Sequence, residues 1–129
     1  MKRLEIKTLA IPGAALVSTN SFKDERGLFA RLFDSEELSE ILGSRQIVNS
    51  NFSHTHRKGS IRGFHFQYPP GCELKLMRCL RGELHQVILD LRRGSKTFLK
   101  HVSVRLSRDN MCMSCVPEGC ASCIQTLED

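Results

Sequence analysis

From Ile47 onward the chain alternates apolar and polar residues with a period of two, in short runs broken by Gly, Pro, Ser or Asn clusters. A strand places successive side chains on opposite faces, so this pattern fits half-buried β-strands and does not fit helices. The runs are I-V-N-S-N-F-S, S-I-R-G-F-H-F-Q, L-K-L-M-R-C-L-R-G, L-H-Q-V-I-L-D-L-R, T-F-L-K-H-V-S-V-R-L and M-C-M-S-C-V-P. No regular helix is expected between them, so the strands pair antiparallel, and many short strands at this spacing point to a sandwich or barrel. The final P-E-G-C-A-S-C-I-Q-T-L-E-D adds a turn and the start of a strand, and by pattern the chain stops mid-strand.

Before Ile47 the signals are mixed. Leu4 to Ile11 reads as a strand ended by Pro12-Gly13, and Ala14 to Thr19 as a second. Asp24 to Gly27 is a turn and Leu28 to Phe33 an extended run. One short helix is expected near residues 35–42. Asp34 or Ser35 caps it, Glu36 and Glu37 suit the dipole of its first turn, Leu38, Ile41 and Leu42 fall at helical spacing, and Gly43 stops it.

A chain of 129 residues suffices for one domain, residues 1–129, with a sizeable core. Its net charge of +5 favours an anionic partner. Lys and Arg are scattered between apolar residues and aromatics are few, which argues against nucleic acid. No segment has the apolar length to span a bilayer, and charged residues stand where a secretory apolar region would be, so a cytoplasmic protein is expected, with no membrane partner. In that compartment the six cysteines, Cys72, Cys79, Cys112, Cys115, Cys120 and Cys123, are reduced thiols unless they bind metal. Cys112-x-x-Cys115 and Cys120-x-x-Cys123 have zinc-like spacing, but only four residues separate the pairs, and residues three apart on a strand point to opposite faces. Buried or half-buried thiols are the preferred reading, with no metal and no cofactor.

Asp90 and Arg92 are expected to pair locally where a strand ends before the Gly94-Ser95 turn, in the solvated setting usual for such charges. His54 and His56 fall in a polar turn and read as solvated, whereas His85 and His101 sit in strand patterns without a carboxylate at ligand spacing. The stretch Gly59 to Lys75 is different. It gathers Arg62, His65 and Lys75 around a Pro69-Pro70-Gly71 turn, which suits anion binding and proton transfer. By alternation His65 faces away from Phe64 and Phe66, with Gly63 and Gln67, toward solvent or a polar barrel interior.

D-E-R-G-L-F, S-I-R-G-F-H-F-Q-Y-P-P with a downstream Lys75, V-I-L-D-L-R-R-G-S-K-T-F and P-E-G-C-A-S-C-I-Q-T-L-E-D together resemble the dTDP-4-dehydrorhamnose 3,5-epimerase family, over nearly the whole chain. The resemblance implies an all-β, antiparallel jelly-roll barrel of the cupin superfamily and a homodimer. It implies an isomerase that takes a proton alpha to the 4-keto group of a dTDP-linked 6-deoxyhexose, in the dTDP-rhamnose route to O-antigen and lipopolysaccharide. On it, His65 matches the base and Lys75 the residue that holds the enolate oxygen. Arg26 and Arg62 match diphosphate contacts, Phe29 packs on the nucleotide base, and Asn51 is a polar ligand contact. Gln67 and Ser122 stand where metal-binding cupins carry histidines, which frees His65 for proton chemistry.

There are departures. Arg31 stands where many members have Glu, Asn49 where they have Gln, Ser122 where they have an active-site His, and Cys123-Ile124 where they have Gly-Phe. Family members continue past the match, and that later segment carries the acid tyrosine and the aspartate that orients the base. The barrel is therefore expected to be incomplete at its C-terminal end. The second reading, from another class, is an inactive jelly-roll that binds a sugar nucleotide or serves only in assembly.

Overall fold

A computed structural model describes residues 2–129. Its strands in chain order are β1 Leu4–Thr8, β2 Ala15–Thr19, β3 Phe22–Asp24, β4 Gly27–Phe29, β5 Ile61–His65, β6 Lys75–Arg78, β7 Glu83–Asp90, β8 His101–Ser107, β9 Met113–Val116 and β10 Cys120–Thr126, with one helix, α1, at Ser39–Leu42. The strands form two four-stranded sheets, β1-β2-β9-β6 and β5-β10-β7-β8, and a small hairpin of β3 with β4. Every pairing is antiparallel.

The period-two pattern becomes two packed faces. Val104 and Leu106 of β8 cluster with Leu16 of β2, Met77 of β6 and Leu84 of β7, so these side chains fill the space between the sheets. Ile88 of β7, Val116 of β9 and Cys120 of β10 continue that core. The outer face of the first sheet is closed differently: Leu4, Val17 and Met113 pack on Leu38 and Leu42 around α1. Burial of apolar surface in these three clusters is the main stabilising term.

The helix is shorter than the spacing predicts. Residues 35–38 are turns, and only Ser39–Leu42 is helical. Asp34 caps the preceding turn rather than the helix, its Oδ1 accepting from the Glu36 and Glu37 amides at 2.9 and 3.1 Å, while Leu38 stands at the helix N-cap with no side-chain bond. Glu37 turns away from the helix, and its Oε1 accepts from the Arg3 and Leu4 amides at 2.7 and 3.0 Å. Three other strand expectations need correction. Residues 47–53 form no strand, and Val48 and Phe52 are 85% and 76% exposed, since no neighbouring strand pairs with them among the described residues. The extended run at Leu28 continues as a strand only to Phe29; beyond it the Arg31 and Leu32 carbonyls accept from Thr19 Oγ1 and Arg78 Nη2 instead of a ladder. β10 is a full strand with neighbours on both sides, and it ends at Thr126.

Asp90 also differs from the solvated end expected of it. It pairs with Arg92, at 2.9 Å from Nε, but its side chain is 0% exposed. It accepts from the Arg92 amide and from the Ser95 and Thr97 hydroxyls, both at 2.6 Å. This set closes the β7–β8 connection and delays β8 to His101, because Thr97 is held by Asp90 rather than by a ladder. Burial by itself raises the Asp90 pKa, but the hydrogen bonds from Arg92, Ser95 and Thr97 outweigh it and hold the carboxyl well below the usual carboxylate range. A group depressed in the folded state contributes stability above its unfolded pKa of about 3.9 and loses that contribution as pH falls through the folded value. We predict that Asp90→Ala lowers unfolding free energy by about 3–5 kcal/mol at neutral pH in denaturant titrations, because it leaves Arg92 without its partner. The difference from the unaltered protein should shrink below about pH 3.9; equal stabilities at pH 7 would refute this account of the cluster.

Candidate active site

β5 is the edge strand of its sheet and pairs with β10. Ser122 lies opposite His65, and Ile124 lies opposite Arg62. Between those two pairs β10 advances two residues while β5 advances three, so β5 carries a bulge. Alternation alone puts His65 and Arg62 on opposite faces, and the bulge puts them on one. That face is the inner one, since Ser122 and Ile124 alternate in step with Cys120, and Ser122 lies opposite Ile88 of the core.

Gly63 makes the bulge possible. Its φ is +130°, and a Cβ there would sit 2.6 Å from the Ser122 carbonyl oxygen and 2.7 Å from the Cys123 Cα. Both obstacles are backbone, so neither can swing aside. A glycine inside a strand pattern is the sequence signal for such a bulge, and it was the available clue that Arg62 joins His65.

Lys75 enters from the other sheet. It begins β6 opposite Val116 of the core, two residues from the inward Met77, while Leu76 faces the α1 side. Lys75, His65 and Arg62 thus face the same space between the sheets. His65 and Arg62 are exposed and Lys75 half-buried, and Arg62 is steadied by its Nε donating to Thr55 Oγ1 at 2.8 Å. Ser122, 8% exposed, accepts from Gln86 Nε2 at 2.9 Å. Gln86 escaped the sequence reading, although a polar residue at the inward register of an otherwise apolar run is its signal.

The remaining site candidates sit on other segments. Arg26 and Phe29 sit on the β3–β4 hairpin, where Arg26 Nη2 pairs with Asp24 at 2.7 Å and the Arg3 guanidinium lies 6.0 Å from the Phe29 ring centre. Asn49 and Asn51 are exposed in the strand-free segment before β5. Gln67 follows β5 and folds toward the Tyr68–Gly71 turn, where a Cβ on Gly71 would lie 3.2 Å from its Oε1. The cysteine pairs do not converge: no group of three or more metal-ligating side chains forms among the described residues. Burial pushes the Cys115 and Cys120 thiols up to about 11, so both are neutral near pH 7. No helix among the described residues is long and apolar enough to cross a membrane.

Two antiparallel sheets facing across a shared core, with an imidazole and two cations at the inward register, define a jelly-roll of the cupin type. The chain belongs to the dTDP-4-dehydrorhamnose 3,5-epimerase family, whose model matches residues 8–129. It is 38% identical to the dTDP-4-dehydrorhamnose 3,5-epimerase of Shigella flexneri over 125 residues, covering 96% of this chain and 68% of that protein. The crystal structure of the enzyme from Sulfolobus tokodaii superposes with a TM-score of 0.91 at 33% identity, covering 99% of this chain and 71% of the other. The epimerase from Legionella pneumophila in complex with dTDP-4-keto-L-rhamnose gives 0.88 at 33% identity, covering 97% and 66%. The chain therefore spans about two thirds of the length of the relatives it matches.

The bulge yields a test. Gly63→Ala should cost about 1–3 kcal/mol from the backbone conformation alone, with the clash against β10 added, as read by denaturant unfolding. A variant as stable as the unaltered protein would show that β5 does not need this approach to β10.

Proposed function

We propose that this protein is an epimerase of a dTDP-linked 4-keto-6-deoxyhexose, acting in dTDP-rhamnose formation. The observation that supports it most is the bulged β5 strand, which turns His65 and Arg62 to the same inner face toward which Lys75 points from the opposite sheet. The 4-keto group acidifies the hydrogens at C3 and C5. His65 takes one of them, and Lys75 holds the negative charge that develops on the keto oxygen, an ammonium being suited to a concentrated charge. Arg62 offers a guanidinium fork to the diphosphate. Asn49, Asn51 and Gln67 are proposed as further polar contacts to the ligand, and Ser122 as a contact beside the base.

Arg26 and Phe29 are the proposed diphosphate and base contacts, yet they stand on the hairpin, outside the inward group. We infer a homodimer, supported by the exposed Phe22, Leu28 and Phe29 of that hairpin and by Val48 and Phe52 before β5. Sedimentation should give twice the 14.6 kDa chain mass, and Phe29→Asp with Phe52→Asp should shift it to the monomer. A monomer at micromolar concentration would remove the dimer from the proposal.

Proton exchange separates the base from the rest of the reaction. Removal and return on one face require only a base and an enolate holder, whereas inversion also requires a donor on the opposite face. In deuterated water the unaltered protein should place label at C3 or C5 of the 4-keto sugar. His65→Asn should slow labelling by about 10²–10⁴-fold, and Lys75→Met by about 10²–10³-fold. Label no faster with the unaltered protein than with His65→Asn would end the enzymatic reading.

A further inference from the structure

Gln86 is 0% exposed, yet its side-chain oxygen has no hydrogen-bond partner. Its Nε2 donates to Ser122 Oγ, so the amide is fixed at one end and orphaned at the other. Gln86 lies on β7 opposite Ile124, two residues from Ile88, which itself lies opposite Ser122. That diagonal places the amide behind Ser122 on the inner face, and Ser122 faces His65 across the next pair. A hydroxyl has one hydrogen and two lone pairs. The Gln86 N–H occupies a lone pair, so the Ser122 hydrogen points elsewhere, and no described residue accepts it. An apolar side chain of the same size would avoid an orphaned carbonyl, which is costly at this depth. The amide is therefore poorly explained by packing and well explained by its hold on Ser122.

We propose that Gln86 is a positioning residue of this site: it orients Ser122 so that the hydroxyl hydrogen is presented beside His65 as a neutral donor to an oxygen of the bound sugar. The inference rests on the epimerase reading above. When His65 takes the proton, charge moves onto the sugar's keto oxygen, and a pre-aimed donor strengthens its bond as that charge grows. Lys75 supplies a cation from the other sheet, and Ser122 supplies a hydrogen bond with fixed direction. The two differ in what they select: the cation responds to charge, the hydroxyl to where the oxygen stands.

The test compares Gln86→Met, which keeps size and loses both polar atoms, with Ser122→Ala, the double variant and Ser122→Thr. Two quantities are read: dTDP affinity by calorimetry, and kcat and KM for solvent-deuterium incorporation into the 4-keto sugar nucleotide. Ser122→Ala should lower kcat by about a hundredfold and Gln86→Met by a similar factor, with KM changed far less. The double variant should be no slower than the slower single one, because both changes remove one donor. Ser122→Thr should recover most of the rate lost in Ser122→Ala, and dTDP affinity should hold throughout. If Gln86→Met does not fold, Gln86→Glu replaces it: its carboxylate accepts the Ser122 hydrogen and withdraws the donor, so the same loss of kcat is expected. Label incorporation that is intact in the Gln86 variant, whatever its melting temperature, overturns this inference alone. So do losses that multiply in the double variant. An unaltered protein that neither binds dTDP nor incorporates label overturns the epimerase reading and this inference with it.

Discussion

The pairing of β10 with two neighbours is the interaction on which the rest depends. β10 runs between β5 and β7, so its seven residues supply both ladders of the second sheet's centre. Its inward side chains are Cys120, Ser122, Ile124 and Thr126, all of them buried. On the β7 side the register is regular, and the facing inward residues alternate Leu84, Gln86, Ile88 and Asp90. On the β5 side the register slips by one residue, and the slip changes what β5 shows to the interior. A regular β5 would present either His65 or Arg62, never both.

The two ends of that sheet are held by different physics. At one end Asp90 accepts from Arg92, Ser95 and Thr97 and lies opposite Cys120, so the start of β10 is anchored beside a buried, fully bonded carboxylate. A buried charge is tolerable only with such complete satisfaction. At the other end Thr126 Oγ1 donates to the Arg57 carbonyl and accepts from the Ser60 amide, which ties the entry of β5 to the end of β10. Between these anchors Gly63 lets β5 approach closely. The edge strand is thus fixed at its entry and at the bulge, and His65 follows from both.

β7 and β8 were legible in the sequence because each alternates buried with more exposed residues, and burial is what alternation records; β5, exposed throughout, and β9, buried throughout, show no such alternation in their burial. Segments that follow other rules were not. Residues 47–53 hold Ile47, Val48 and Phe52 among polar residues, but that composition says nothing of whether a partner strand exists. The first turn of the helix carries ordinary start signals, yet Glu37 is drawn off to the Arg3 and Leu4 amides, a contact between segments 33 and 34 residues apart. Arg62 and His65 belong to one stretch, but their common face depends on a bulge, and alternation assigns opposite faces to residues three apart. Asp90 was read as a local ion pair, which it is; its complete burial comes from Ser95 and Thr97, whose role no spacing announces.

Opposite His65 the chain has a hydroxyl held by an amide rather than a second imidazole. An imidazole opposite His65 would place two titrating groups on adjacent strands, where the charge on one opposes the charge on the other. A hydroxyl held by an amide carries no charge at any pH of interest. Asp90, on the same inner face, is held ionised by its bonds, and burial keeps the Cys120 thiol neutral near pH 7. On the inner face of β5, β10 and β7, His65 is then the one imidazole, beside a permanently charged Arg62. The neutral Ser122–Gln86 pair thus adds no second titrating group beside His65 on that inner face.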